Sequence, residues 1–251
     1  MITYAVINQK GGVSKSTISA VLLSGLKKRG FRTLAVDLDA QENLSFTVAA
    51  DTNTRENTHR LLTEKCSVPD LIQHTEYGDI ISASKSLSGA DTFIIETGKE
   101  YRLKEALEQI SDNYDYIILD TPPALGILTV NALTAADSVI IPAQADVYSL
   151  QGIAQLADTI QVVRKYCNPD LKIEGILLTR YNARAVLNRD IANMMQKQAE
   201  NLQTKVFQTT IREAVAVREA QISQKSIFDY APKANVTEDF HQFIDELLEV
   251  R

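Results

Sequence analysis

Lys10-Gly11-Gly12-Val13-Ser14-Lys15-Ser16-Thr17 follows an apolar run, Ile2 to Ile7, and precedes a long helical pattern. A strand, a glycine turn and a helix in that order turn several backbone N–H groups toward one anion. The first turn of the helix adds unpaired donors and the positive end of its dipole. The stretch therefore predicts a polyphosphate cradle over residues 10–17, in which Lys15 pairs with the outer phosphates and the Ser16 hydroxyl is placed to ligate magnesium. The ordinary phosphate loop has glycine at its first position and again just before the lysine; here Gln9 and Ser14 stand there, and a second lysine, Lys10, precedes the paired glycines. Ser14 lacks glycine's freedom and costs energy if the loop demands a positive φ.

The length, 251 residues with 45% hydrophobic content, suits one α/β domain spanning 1–251. No apolar run is long enough to cross a bilayer, and Met1-Ile2-Thr3-Tyr4 lacks the basic start of a secretion signal, so a cytoplasmic protein is expected. Cys66 and Cys167 lie far apart with no CxxC partner, and His59, His74 and His241 are scattered without metal-ligand spacing. The formal net charge of −6 argues against nucleic acid as a partner, but the average hides an asymmetry. Between Arg180 and Lys233 nine basic residues face five acidic ones, a mildly basic segment on an acidic body.

Working outward from the loop, Ile18, Val21, Leu22, Gly25 and Leu26 recur at helical spacing, and Lys27-Lys28-Arg29-Gly30 closes the helix. Thr33 to Val36 reads as a strand running into Asp37-Leu38-Asp39-Ala40-Gln41, with Asp37 and Asp39 facing the same way at its C-terminal end, where α/β proteins gather their sites. Helices are predicted over 58–63, 68–73 and 99–110, with a short strand over 79–83. Tyr114 to Asp120, followed by Thr121-Pro122-Pro123, is an apolar strand ending in an acid, the form in which a carboxylate holds magnesium through a water. Further helices are predicted over 127–135, 150–166, 189–201, 212–220 and 237–250, and strands over 138–142 and 173–179. The βαβα alternation argues for a mostly parallel twisted sheet of about seven strands with helices on both faces. The last helix carries Phe240, Phe243, Ile244, Leu247 and Leu248 on one stripe, expected to pack in the core.

K-G-G-x-x-K-S-T resembles the deviant phosphate loop (deviant Walker A) of the ParA/MinD superfamily of dimeric ATPases, and the resemblance runs from Ile2 to about Ala231. It implies a phosphate-loop NTPase fold, ATP and Mg2+, and an ATP-bound homodimer in which Lys10 reaches the partner's phosphates while Lys15 serves its own. The D-x-D-x-Q segment is similar to the family's switch, which implies that Asp39 orders the attacking water and the magnesium shell; Ala40 stands where the family has proline. Asp120-Thr121-Pro122-Pro123 is similar to the family's D-x-P-P, with Asp120 on the metal side. Asn182, and after it Arg180, match the region that borders the base; a solvated loop is the alternative.

Among the family's branches, a partition ATPase of the ParA type binds DNA without sequence preference as an ATP dimer, associates with the nucleoid, and is released by a ParB-type partner. The segment from Thr210 to Ile227 is similar to its DNA-contacting region, which nominates Arg212, Arg218 and Lys225. A MinD-like membrane ATPase is the alternative, although the acidic end from Asp245 to Glu249 would be repelled by anionic lipid. A third branch holds metabolic relatives, an iron–sulfur donor or an amidating synthetase. The former needs thiolates that neither Cys66 nor Cys167 places after the magnesium strand, and nothing in the residues supports the latter.

Overall fold

Continuous apolar runs form the middle of the sheet because strands buried on both faces leave no position for polar residues. The structure, a computed structural model, describes residues 1–64, 66–182 and 186–249. Its strands are β1 (Ile2–Val6), β2 (Thr33–Asp37), β3 (Gln73–His74), β4 (Asp79–Ile81), β5 (Tyr116–Asp120), β6 (Ser138–Ala143) and β7 (Lys172–Leu178). They lie in the order β3-β4-β2-β5-β1-β6-β7, parallel except for the short edge strand β3. The helices are α1 (Lys15–Lys28), α2 (Asn43–Thr47), α3 (Thr58–Thr63), α4 (Ala90–Phe93), α5 (Arg102–Glu108), α6 (Ile127–Ala135), α7 (Val147–Tyr166), α8 (Val186–Asn201), α9 (Val215–Ile222), α10 (Ile227–Tyr230) and α11 (Asn235–Glu249).

Alternate residues of the central strands feed two cores. Tyr4 and Val6 of β1, with Tyr116 and Ile118 of β5, pack on α1 and α11, whereas Ala5, Ile117 and Leu119 face α5, α6 and α7. The stripe of α11 is consumed in the first core: Phe240, Phe243, Ile244 and Leu247 are buried, and Phe207 meets Phe243 edge to face at 5.2 Å. The approach of α11 to α1 needs Gly25, where an added Cβ would lie 2.3 Å from Ile244 Cδ1.

Several expected elements differ. The helix predicted over 68–73 is a single 3-10 turn, Val68–Leu71, before the edge strand β3. The helix predicted over 212–220 begins only at Val215. Ile211 bridges Thr179 beside β7, and the Arg212 N–H donates to the Asp239 carboxylate at 3.1 Å, which holds residues 211–212 extended. The parallel register sets Val6, Asp37 and Asp120 level with one another at the carboxyl edge. That edge carries the loop.

Candidate active site

The loop between β1 and α1 demands the left-handed backbone that its sequence resists. Ser14 sits at φ 72°, ψ 23°, as the residue before the helix, and its side chain caps no N–H of α1. Gly12, at φ 77°, takes the same conformation at no steric cost. A left-handed L-residue costs roughly 1–2 kcal/mol, part of which glycine returns through the entropy of the unfolded chain. Ser14→Gly is therefore expected to raise the urea midpoint, by about 1 kcal/mol of stability; a lowered midpoint would show that the serine is not strained.

Distant polar groups hold the loop from three sides. Asn8 donates to the Pro142 carbonyl at 2.7 Å and accepts from the Lys10 N–H, Gln144 Nε2 donates to the Gly12 carbonyl at 3.0 Å, and the Thr179 hydroxyl donates to the Val13 carbonyl at 3.1 Å. Val13 itself is fully buried. The ends of β6 and β7 thus fix a loop that belongs to β1. The bonds to Pro142, Gln144 and Thr179 do not show in the sequence around the loop, since each of these partners lies more than 100 residues away.

Lys15 is buried against two carboxylates. Burial lowers its pKa, and the charges of Asp120 and Asp39 work against that shift. Asp120 Oδ1 accepts from the Ser19 hydroxyl at 2.8 Å, while its buried Oδ2 has no hydrogen-bond partner among the described residues. The carboxyl of Asp120 is raised by burial, with Ser16 and Ser19 hydrogen bonding in the opposite sense. A buried, orphaned acceptor beside the Ser16 hydroxyl has the chemistry of a magnesium site completed by water. The residues present fit that ion.

Asp37 and Asp39, alike in sequence, part company in space. Asp37 is fully buried and accepts from the Ser45 N–H and hydroxyl at 2.9 and 2.7 Å and from the Asp39 N–H at 3.1 Å, fastening α2 to β2. Burial first, and then the neighbouring Asp120, raise its pKa. Asp39 instead lines the cavity in front of the loop, and its Oδ1 accepts from the Gln41 N–H at 3.0 Å. This Asx turn shapes the segment at Ala40 without the proline that the resemblance implies.

Two cavities flank the loop. One, of about 570 Å3, is lined by Lys15, Ser16, Asp39 and Pro123 and has the charge and hydroxyl chemistry of a triphosphate site. The other, of about 340 Å3, is walled by Ile211, Val217 and Phe240 with Arg180 and Glu213 at its rim, and suits a flat base. Arg180 pairs with Glu213, at 2.5 Å. Asn182, ranked above Arg180 from the sequence, is not in this wall; Arg180 is. The ammonium of Lys10 pairs with Asp146, which also caps α7 through the Ser149 N–H at 2.9 Å.

Of the three cations nominated for DNA, Arg212 and Arg218 line the base-side cavity together. Arg212 is locked to Asp239 by two hydrogen bonds of 2.7 Å, and the carboxylate is almost wholly buried. Arg218 stands at the mouth of both cavities. Lys225 lines a separate cleft with Lys27 and Lys28. Lys225 also lines a small cavity with Thr17, at the end of the phosphate loop, and with Gln221 of α9. Among the described residues, no helix is long and apolar enough to cross a membrane.

Fold and loop place the chain among the phosphate-loop NTPases of the deviant type. A family profile described as an AAA domain matches residues 1–173. The sporulation initiation inhibitor protein Soj of Bacillus subtilis is 40% identical over 247 residues, covering 97% of this chain and 96% of Soj. The chromosome partitioning protein ParA of Myxococcus xanthus is 37% identical over 247 residues, 96% of this chain and 86% of that protein. Among solved structures, cobyrinic acid a,c-diamide synthase from Mycobacterium smegmatis with bound ADP and magnesium superimposes with a TM-score of 0.86 at 32% identity, over 99% of this chain and 94% of that one. The chain belongs to the ParA/Soj family of partition ATPases.

Proposed function

We propose that this chain, acting as one ATPase domain over 1–251, is a partition switch: it binds ATP with Mg2+, dimerises face to face through the nucleotide, holds DNA without sequence preference, and hydrolyses ATP slowly until a ParB-type partner accelerates it. The observation that carries this reading is the paired-lysine loop, with Lys15 buried in the lining of the phosphate cavity and Lys10 outside that lining, paired with Asp146. Residues 10–17 cradle the phosphates. Ser16 would hold the magnesium ion, with Asp120 and Asp39 as the carboxylates nearby, and Arg180, rather than Asn182, borders the base. A magnesium ion held there would supply neutralisation of the phosphate charge.

Lys15 is the cation that benefits most from a bound polyanion, because burial otherwise disfavours its charge. Lys10 sits in a half-exposed pair with Asp146. A pair of that kind contributes about 0–1 kcal/mol, so exchanging it for a partner's phosphates is inexpensive. The α11 stripe is packed in the core and so offers no apolar face to a bilayer, which favours a cytoplasmic, nucleoid-associated protein over a MinD-like membrane ATPase. Light scattering tests the switch: a dimer with a non-hydrolysed ATP analogue and Mg2+, and a monomer with ADP, are expected. A monomer in both states would overturn the reading.

The solved amidating relative shares the fold, not evident amide chemistry. Cys167 ends α7, about 30 Å along the helix from Asp146, and neither cysteine lines the two cavities at the loop.

A further inference from the structure

Five residues line both the base-side and the phosphate-side cavity: Gly12, Ser14, Thr17, Arg218 and Gln221. A nucleotide laid across the two has its base in the first and its outer phosphates in the second, so the shared wall is where its innermost phosphate must pass. Gly12, Ser14 and Thr17 belong to the loop and the first turn of α1. Arg218 and Gln221 come from α9, one turn apart on the same helix face. Gln221 Nε2 donates to the Thr17 hydroxyl at 3.0 Å, which ties α9 to α1 at this level. Gln224 Nε2 donates to the Phe46 carbonyl at 2.8 Å and ties the end of α9 to α2.

Of the three arginines that line the base-side cavity, two are held in ion pairs. Arg180 is held by Glu213, and Arg212 by Asp239. Arg218 is exposed and is within no salt bridge among the described residues, although the Glu213 carboxylate lies near enough to feel its charge. Its guanidinium, permanently charged and forked, matches two oxygens of one phosphate.

We propose that Arg218, positioned by the Gln221–Thr17 hydrogen bond, is a nucleotide-binding residue that clamps the α-phosphate, rather than a contact to DNA. The inference rests on the nucleotide reading of the two cavities. An α-phosphate is present in both ATP and ADP, so the contact adds affinity for the nucleotide without distinguishing the two switch states.

Calorimetric titration of the full chain, Arg218→Ala and Arg218→Lys with ADP and with a non-hydrolysed ATP analogue, each with Mg2+, tests it. Loss of one charge-assisted, forked contact is expected to weaken both nucleotides alike, by about tenfold in Arg218→Ala. Arg218→Lys, which keeps the charge but not the fork, should fall between. Binding of Arg218→Ala to an unrelated duplex, at saturating ATP analogue, should match wild type. A loss confined to the ATP analogue would put the guanidinium on the γ-phosphate and overturn the assignment. Unaltered nucleotide affinities would also overturn it, and weakened duplex binding in the same variant would then give Arg218 to DNA. If the unsubstituted chain bound neither nucleotide, the reading of the cavities would fall with it, whereas wild-type binding with an unaffected variant would remove the Arg218 inference alone.

Discussion

Replacing Lys10 by alanine is expected to abolish ATP-dependent dimerisation and lower turnover by about 10³ to 10⁵, the range attributed to a cation supplied to the phosphates in trans, while ATP binding by the monomer stays nearly intact. The two lysines of the loop occupy different depths. Lys15 is buried in the lining of the phosphate cavity near the charges of Asp120 and Asp39, whereas Lys10 is outside that lining and pairs with Asp146, beyond the end of β6. A lysine paired outside the cavity adds little to the chain's own nucleotide and can exchange Asp146 for the phosphates of a second copy. Steady-state hydrolysis together with light scattering checks this. Turnover unchanged in Lys10→Ala would remove the trans assignment, and loss of monomeric ATP binding would make Lys10 a second cis lysine.

Asp39→Ala is expected to cost about 10²- to 10⁴-fold in hydrolysis, the span of a positioned acid–base group, with ATP binding and the ATP dimer retained. The geometry separates this residue from its neighbour two positions earlier. Asp37 accepts three hydrogen bonds inside the fold and lines neither of the two cavities at the loop, so its removal strands buried donors and acts on stability. Asp39 keeps carboxylate surface toward the phosphate cavity and is oriented through the Gln41 N–H. The variant's phosphate release, measured beside its thermal midpoint, distinguishes the two roles. Wild-type hydrolysis in Asp39→Ala would transfer the water-ordering role elsewhere, and a collapsed midpoint would make Asp39 structural like Asp37.

What the sequence disclosed follows from how local each feature is. The strands of the sheet are continuous apolar runs, β1 and β5 above all, and the βαβ alternation around them leaves few topologies. The loop is legible because its chemistry is contiguous: glycines, lysines and hydroxyls within eight residues. Features built from distant residues were not legible. Lys10 meets Asp146, Gln221 meets Thr17 and Arg212 meets Asp239 only after the chain has closed. The segment around Arg212 misled because its composition suits a helix, while a buried carboxylate on α11 holds the backbone extended. Period-two alternation placed Asp37 and Asp39 together, yet the turn after β2 begins between them, so one enters the core and the other the cavity.

DNA affinity in different nucleotide states tests the account most directly. The chain's binding to an unrelated duplex would be measured at low salt with an ATP analogue, with ADP and without nucleotide, and then across a salt series. The account predicts binding with the ATP analogue alone, indifferent to sequence, with log K falling against log salt at about −0.9 per phosphate neutralised. Equal binding in all three states, or none while the ATP dimer persists, would contradict a partition switch.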